Sequence, residues 1–263
     1  MPPTISAAHP WKDDKPPHLP CRRGELPLAV LFPGDPGRVD RFASIFSGFR
    51  ILGQNREFRI GVGAFNGIEL GVCSTGIGGP STEIALVEAA ELGCKFALRV
   101  GGAGALDPSI PLGSFILASE ALRGGGAACF YAPPDYPAKA HPLMLAALTR
   151  SASTFGLPHR TALVASTDSY YAGQGRPFPN SGAPSDSVLQ HYQSLGVAAL
   201  DMEAETILVL GERLGLVAGV LLAVHGNRST DQWLEDFSTA QNEMIRVACD
   251  ALSRLVTEAA PIQ

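Results

Sequence analysis

The stretch GPSTEIALVEAAELGCKFALRV, residues 79–100, carries two periodicities back to back. Over 79–93, Ile84, Val87 and Leu92 give an apolar face at helical spacing. Pro80 suits the first turn, where its missing N–H costs nothing, and Gly93 suits the end. CKFALRV, 94–100, is then a mostly apolar run broken late by Arg99, the pattern of a buried strand. Working outward, LPLAVLF (26–32), GSFILAS (113–119), TALVAST (161–167) and LVAGVLLAV (216–224) read as further strands. EFRIGVGAFNGIELGVCS (57–74) reads as a hairpin, because Asn66-Gly67 suits a type I′ turn. Helices are expected around 142–155, 203–214 and 234–257. Strands interleaved with helices predict an α/β sandwich around a largely continuous sheet. No internal repeat or linker interrupts it, so a single domain is expected over 21–263. Residues 1–20, rich in proline and charge, form an extension that wraps the surface or stays mobile.

Composition narrows the function. With 263 residues, 46% of them hydrophobic and 17% charged, the chain has ample material for a core. Its net charge of -5 offers no basic face to nucleic acid, so an anionic ligand must be small and met by local arginines. No apolar run approaches the roughly 20 residues of a membrane span. The opening MPPTISAAHPWKDDKPPH lacks the apolar core of a signal peptide. The five cysteines (Cys21, Cys73, Cys94, Cys129, Cys249) are scattered and show no metal-ligand spacing. Reduced thiols in a cytoplasmic protein fit that pattern.

Four segments hold residue types suited to chemistry. In FPGDPGRVDRF (32–42), a strand breaks at Pro33-Gly34 and enters a helix near Val39; backbone N–H groups there, with Arg38, suit an anion, and a plain turn with a surface arginine fits as well. In FALRVGGAGAL (96–106), Arg99 is followed by Gly101, Gly102 and Gly104, which let a ligand approach the main chain. The arginine then offers paired donors to a phosphate, or else pairs with a core carboxylate. In ALDMEAETILVL (199–210), Asp201, Glu203 and Glu205 open an apolar helix, as dipole partners or, for a Glu, as acceptor of two vicinal ribose hydroxyls. In STDSYYAGQGRPFPNSG (166–182), Gln174 and Arg176 suit an amide-like edge and Tyr170 an apolar wall; a solvated loop is the other reading.

In this order, PGDPGRV, NREF, STGIGGPSTEIALVEAAELG, LRVGGAGAL, GQGR and DMEAET resemble the nucleoside phosphorylase family, and its uridine phosphorylase branch in particular, from about His18 to the C-terminal helix. The resemblance implies a single-domain, three-layer α/β/α sandwich around a central mixed, partly barrel-like β-sheet. It implies phosphate held by Gly34, Arg38, Arg99 and position 102, with Arg56 reaching in from a neighbouring subunit. It implies ribose held by Met202 and Glu203, with His18 of the neighbour closing over its 5′ end. The base would meet Tyr170, Gln174, Arg176 and Arg228, with Arg99, Glu203, Arg176 and Arg228 carrying the catalysis. Glu57 and Ser74 fall where relatives bind a monovalent cation, so a structural potassium ion is implied, but no other cofactor. The reaction implied is reversible phosphorolysis of a pyrimidine nucleoside, catalysed by a homo-oligomer, with a dimer as the minimal unit or a hexamer.

Two positions depart from the family's pattern. Position 102 is Gly, where a Thr hydroxyl usually meets the phosphate, so backbone donors or a water are expected in its place. His225-Gly226-Asn227 stands where purine-specific members carry an Asp, which counts against a purine nucleoside phosphorylase; His225 itself either touches the base or is merely packed. A nucleosidase using water, or a non-catalytic nucleoside-binding or storage protein, are the remaining alternatives.

Overall fold

The opening stretch folds as its two periods require. In the computed structural model, which describes residues 4–181 and 186–259, α1 spans Gly79–Glu91 and β5 spans Phe96–Ala105. Residues 1–3 of the extension, Gly182 of the quoted loop and 260–263 lie outside the described residues. Before α1 come β1 (Ala29–Phe32), β2 (Ser47–Asn55), β3 (Phe58–Phe65) and β4 (Ile68–Cys73). Asn66 and Gly67, at φ 51° and 80°, turn β3 into β4 as the hairpin reading expected. After β5 come β6 (Phe115–Leu122), β7 (Ala138–Lys139), α2 (Pro142–Thr154) and β8 (His159–Ser166). The chain continues through α3 (Asp186–Ser194), β9 (Ala199–Asp201), α4 (Ala204–Arg213), β10 (Val217–Asn227), β11 (Gln232–Trp233) and α5 (Ser238–Ala259).

β5 is the pivot of the sheet. Along one edge it pairs with β10 in parallel, from Phe96↔Val217 to Ala105↔Asn227. Along the other edge it pairs first with β1, in parallel and only as far as Arg99↔Phe32. A new partner, antiparallel β9, begins at Gly104↔Leu200. Residues 100–103 therefore have no strand on that side, and the chain ends leaving β1 and β9 flank the gap. β10 pairs onward with β6, β6 with β8, and β8 with β9, so these strands close a ring with β5. On its far side β1 continues into an open sheet through β4, β3 and β2. The mixed sheet is part barrel and part open. Ligands in α/β folds gather where strand order switches in this way.

Helices cover both faces. On β10 the period-two alternation sends Leu221 and Ala223 toward α2 and α5, where Met144, Leu148, Met244 and Leu252 are buried. Val220, Leu222 and Val224 point the other way, into the core shared with Leu86 of α1 and Ile207 and Leu208 of α4. A strand buried on both faces reads as a continuous apolar run, as LVAGVLLAV does. The extension is tied down from Trp11 onward: Leu19 is fully buried, and its N–H donates to Glu88 of α1 at 2.7 Å.

The structure changes several expected boundaries. β5 continues through Gly101, Gly102 and Gly104, because β10 pairs with every one of them; glycine content does not end a strand whose backbone stays paired. The turn after β1 enters a 3-10 helix, Pro36–Ser44, capped by the Asp35 carboxylate. α5 starts at Ser238, where Asp236 accepts from the Ser238 N–H at 2.8 Å, four residues later than expected from the apolar period. Neither β2 nor α3 stood out in the sequence. β2 is an edge strand with no buried residue, and α3 likewise buries none, so neither shows an apolar face.

Candidate active site

The gap beside residues 100–103 opens into a cleft of about 700 Å³. Four chain segments contribute to its lining: Gly34–Arg38 after β1, Gly76 and Ile77 after β4, Tyr170–Arg176 after β8, and Asp201–Glu203 at the end of β9. Its floor is the glycine-rich half of β5, at Gly102, Ala103 and Gly104.

Arg99 sits at the centre, 5% exposed. Its Nε donates to Asp201 at 3.0 Å and one terminal nitrogen to Glu203. Burial works against its charge, but Glu203 and Asp201 outweigh it, so the guanidinium is held more firmly protonated than in water. Of the two sequence readings of Arg99, the pairing with core carboxylates is present in the fold, and its remaining terminal nitrogen, Nη1, is buried with no partner among the described residues. A buried donor without an acceptor is costly and invites an anion. Arg38 adds a second cation to the same end. Burial and then the charge of Arg99 lower its pKa, against the opposing pull of Asp35 and Glu203.

Glu203 stands at the start of α4 with both oxygens engaged, Oε1 by the Gly78 N–H at 2.6 Å and Oε2 by Arg99. Burial pushes its carboxyl up and Arg99 pulls it back. Spare lone pairs on the two oxygens leave it able to accept from hydroxyls of a ligand. Asp201 accepts from the Glu203 and Ala204 N–H groups and from Ser166 Oγ at 2.7 Å, so the helix start and Arg99 are fixed by one carboxylate.

At the other end lie Gln174 and Arg176. The Arg176 guanidinium lies over the Tyr170 ring, 3.8 Å from its centroid, and donates to Gln174 Oε1. Burial lowers its pKa, and Arg228 adds to the effect. Arg228 itself stands behind, donating to the Gln174 carbonyl at 2.8 Å. This end offers amide and guanidinium groups to a planar polar edge, with an aromatic wall beside them. The rim is apolar: Ile77, Tyr170 and Trp233 line the cleft and are exposed.

The sequence profile of the Phosphorylase superfamily matches residues 29–259. The chain belongs to the phosphorylase superfamily. It is 37% identical over 240 residues to a uridine phosphorylase of Thermococcus kodakarensis, covering 90% of this chain and 86% of that one. A uridine phosphorylase of Haemophilus influenzae is 35% identical over 231 residues, covering 86% and 92%. Among solved structures, a purine nucleoside phosphorylase from Toxoplasma gondii in complex with immucillin-H superposes with a TM-score of 0.83 at 27% identity, over 92% of this chain and 96% of that one.

Of the residues the superfamily resemblance singled out, the cleft of one chain gathers Gly34, Arg38, Glu57, Arg99, Gly102, Tyr170, Gln174, Arg176, Met202 and Glu203. Arg228 lies just behind its wall. Arg56 and His18 lie outside it. Arg56 is exposed in the turn between β2 and β3 at φ 54°, and His18 bonds Glu88 at 2.7 Å. Ser74 is fully buried; its Oγ donates to the Glu57 carbonyl and accepts from the Arg59 N–H at 2.8 Å, while the Glu57 carboxylate reaches Ser81 at 3.1 Å. Asn227 is no part of the site, since its amide donates to the Asp107 and Ile110 carbonyls at 2.9 Å each. Sequence reasoning missed the N–H of Gly78 and the scaffold role of Asp201 with Ser166. The Asp201 signal was present, as an acid two residues before Glu203, but its partner Arg99 lies 102 positions away. The space a side chain at 102 would enter is taken by the His225 imidazole, a neighbour the sequence did not reveal.

Proposed function

We propose that the protein catalyses reversible phosphorolysis of a pyrimidine ribonucleoside, uridine and phosphate giving uracil and ribose 1-phosphate. The observation that carries this reading is the two-ended cleft. Arg38 and the unpartnered Nη1 of Arg99 mark one end, Gln174 and Arg176 over Tyr170 mark the other, and Glu203 lies between. In the reaction the glycosidic bond stretches first, giving an oxocarbenium-like ribose and an increasingly anionic base. Gln174 and Arg176, steadied by Arg228, stabilise the leaving uracil with donors already in place. Arg38 and Arg99 hold phosphate for attack at C1′, a positioning effect. Glu203 accepts the ribose hydroxyls, and Met202 supports the sugar. The phosphate oxygen bonds C1′ as the bond from C1′ to the base breaks, and the proton lost by the phosphate ends on the uracil nitrogen.

The reading extends to a site shared between two copies, with Arg56 and His18 supplied by the neighbour; their positions outside the cleft of their own chain support it. A dimer is then the minimal unit. A potassium ion at Glu57 and Ser74 fits only if a second chain brings more oxygens, since Ser74 Oγ already serves the backbone. A cytoplasmic location accords with five cysteines that are all unpaired. The likeness to a purine nucleoside phosphorylase favours a second reading, purine nucleosides as substrates. The committed Asn227 amide and the absence of an acid at 225–227 weigh against it.

The test is base release from uridine and inosine, with and without phosphate. Uracil release that requires phosphate and yields ribose 1-phosphate is expected. Release at the same rate in phosphate-free buffer would make the protein a nucleosidase, a preference for inosine would make it a purine enzyme, and binding without turnover would make it a carrier.

A further inference from the structure

Position 102 is bare because another residue stands in its place. A Cβ built on Gly102 falls 2.5 Å from His225 Nδ1 and 2.6 Å from Cε1, closer than real Cβ atoms come to anything. The ring is packed against a neighbour. It stacks on Phe237 with centroids 4.5 Å apart and planes 22° from parallel.

Its position follows from a break in the β5–β10 register. Val224 pairs with Ala103 and Gly226 with Gly104, so His225 is an extra residue on β10. Such bulges re-aim a side chain, often beside an active site. Here the bulge turns His225 out of the α2–α5 core, where Leu221 and Ala223 point, and into the wall of the cleft. Its Nε2 is buried with no partner among the described residues, as is Arg99 Nη1. The charged group bearing on the ring is Arg38.

We propose that His225 is a ligand-contacting residue of the anion end: a neutral imidazole that donates one hydrogen bond to the phosphate, from the place that Gly102 leaves empty on β5. The inference rests on the phosphorolysis reading above. A neutral ring suits the task, since burial and Arg38 hold its pKa down at about 4. One nitrogen then carries a proton at neutral pH without adding a further cation beside two arginines. Gly102 and His225 form a matched pair, and a side chain at 102 requires the loss of the ring.

The experiment measures binding of inorganic phosphate alone by calorimetry, and the Michaelis constants for phosphate and uridine. His225→Phe keeps the stack on Phe237 and removes the donor. Phosphate affinity should fall about tenfold or more, the size of a lost bond to a charged group, with the uridine constant within about twofold. His225→Gln, which keeps an N–H, should recover most of that loss. Gly102→Thr should lose phosphate binding, and adding His225→Ala should restore it. If His225→Phe does not fold, His225→Leu against His225→Gln carries the same comparison. Unchanged phosphate affinity in the donor-free variant overturns the proposal, as does a rise confined to the uridine constant. A wild-type protein that binds no phosphate overturns the phosphorolysis reading itself, and this inference with it.

Discussion

His225 also makes a prediction about stability that needs no substrate. Its pKa falls from 6.5 to about 4 on folding, from burial first and the charge of Arg38 second. Between those two values the unfolded chain binds the proton and the folded chain does not. Stability should therefore rise with pH across this window and be lost as pH falls from 6.5 toward 4. Taking the two values as they stand, the unfolded state gains about 2 kcal/mol from that proton at pH 5 and only about 0.2 kcal/mol at pH 7. Glu203 and Glu205, whose carboxyls burial pushes up, act in the opposite direction. They remain in both proteins when wild type is compared with His225→Phe, so the difference isolates the imidazole. The assay is urea unfolding at pH 7 and pH 5, at one protein concentration and in phosphate-free buffer, because a bound anion would stabilise the folded form. Wild type should lose about 2 kcal/mol more than the variant over this interval. Equal losses in the two proteins would show that the ring titrates freely, and the description of a clamped, neutral His225 would have to go.

Two further outcomes concern the reaction. Arg176→Ala removes both the cation over Tyr170 and the donor to Gln174, so uridine turnover should drop by about 10²–10³-fold with the melting temperature retained; steady-state assay and thermal scan together check this. Arg56→Ala and Glu203→Ala should each be nearly inactive, yet mixing them under conditions of subunit exchange should return about a quarter of wild-type activity, because half the dimers become hybrids with one intact site each. A mixture that stays inactive despite proven exchange would place both residues in one chain's site.

Much of this protein is legible in the sequence by itself, wherever the cause is local. The helical period of 79–93, the Asn66-Gly67 turn and the alternation of strands with helices depend on residues a few positions apart, and each forms the expected element. The arginines and acids of the cleft are legible as residue types for the same reason. What tertiary structure decided depends on partners brought from far along the chain. Gly101 to Gly104 are strand because β10, more than 100 residues later, pairs with them. Among the described residues, Arg99 has a single unpartnered nitrogen because Asp201 and Glu203 claim the others across the gap between β1 and β9. The clearest case is the pair at positions 102 and 225. In sequence, one is a missing side chain and the other a lone histidine. Only the register slip on β10 puts the ring where that side chain is missing, because strand pairing, not proximity along the chain, sets which side chains share a space.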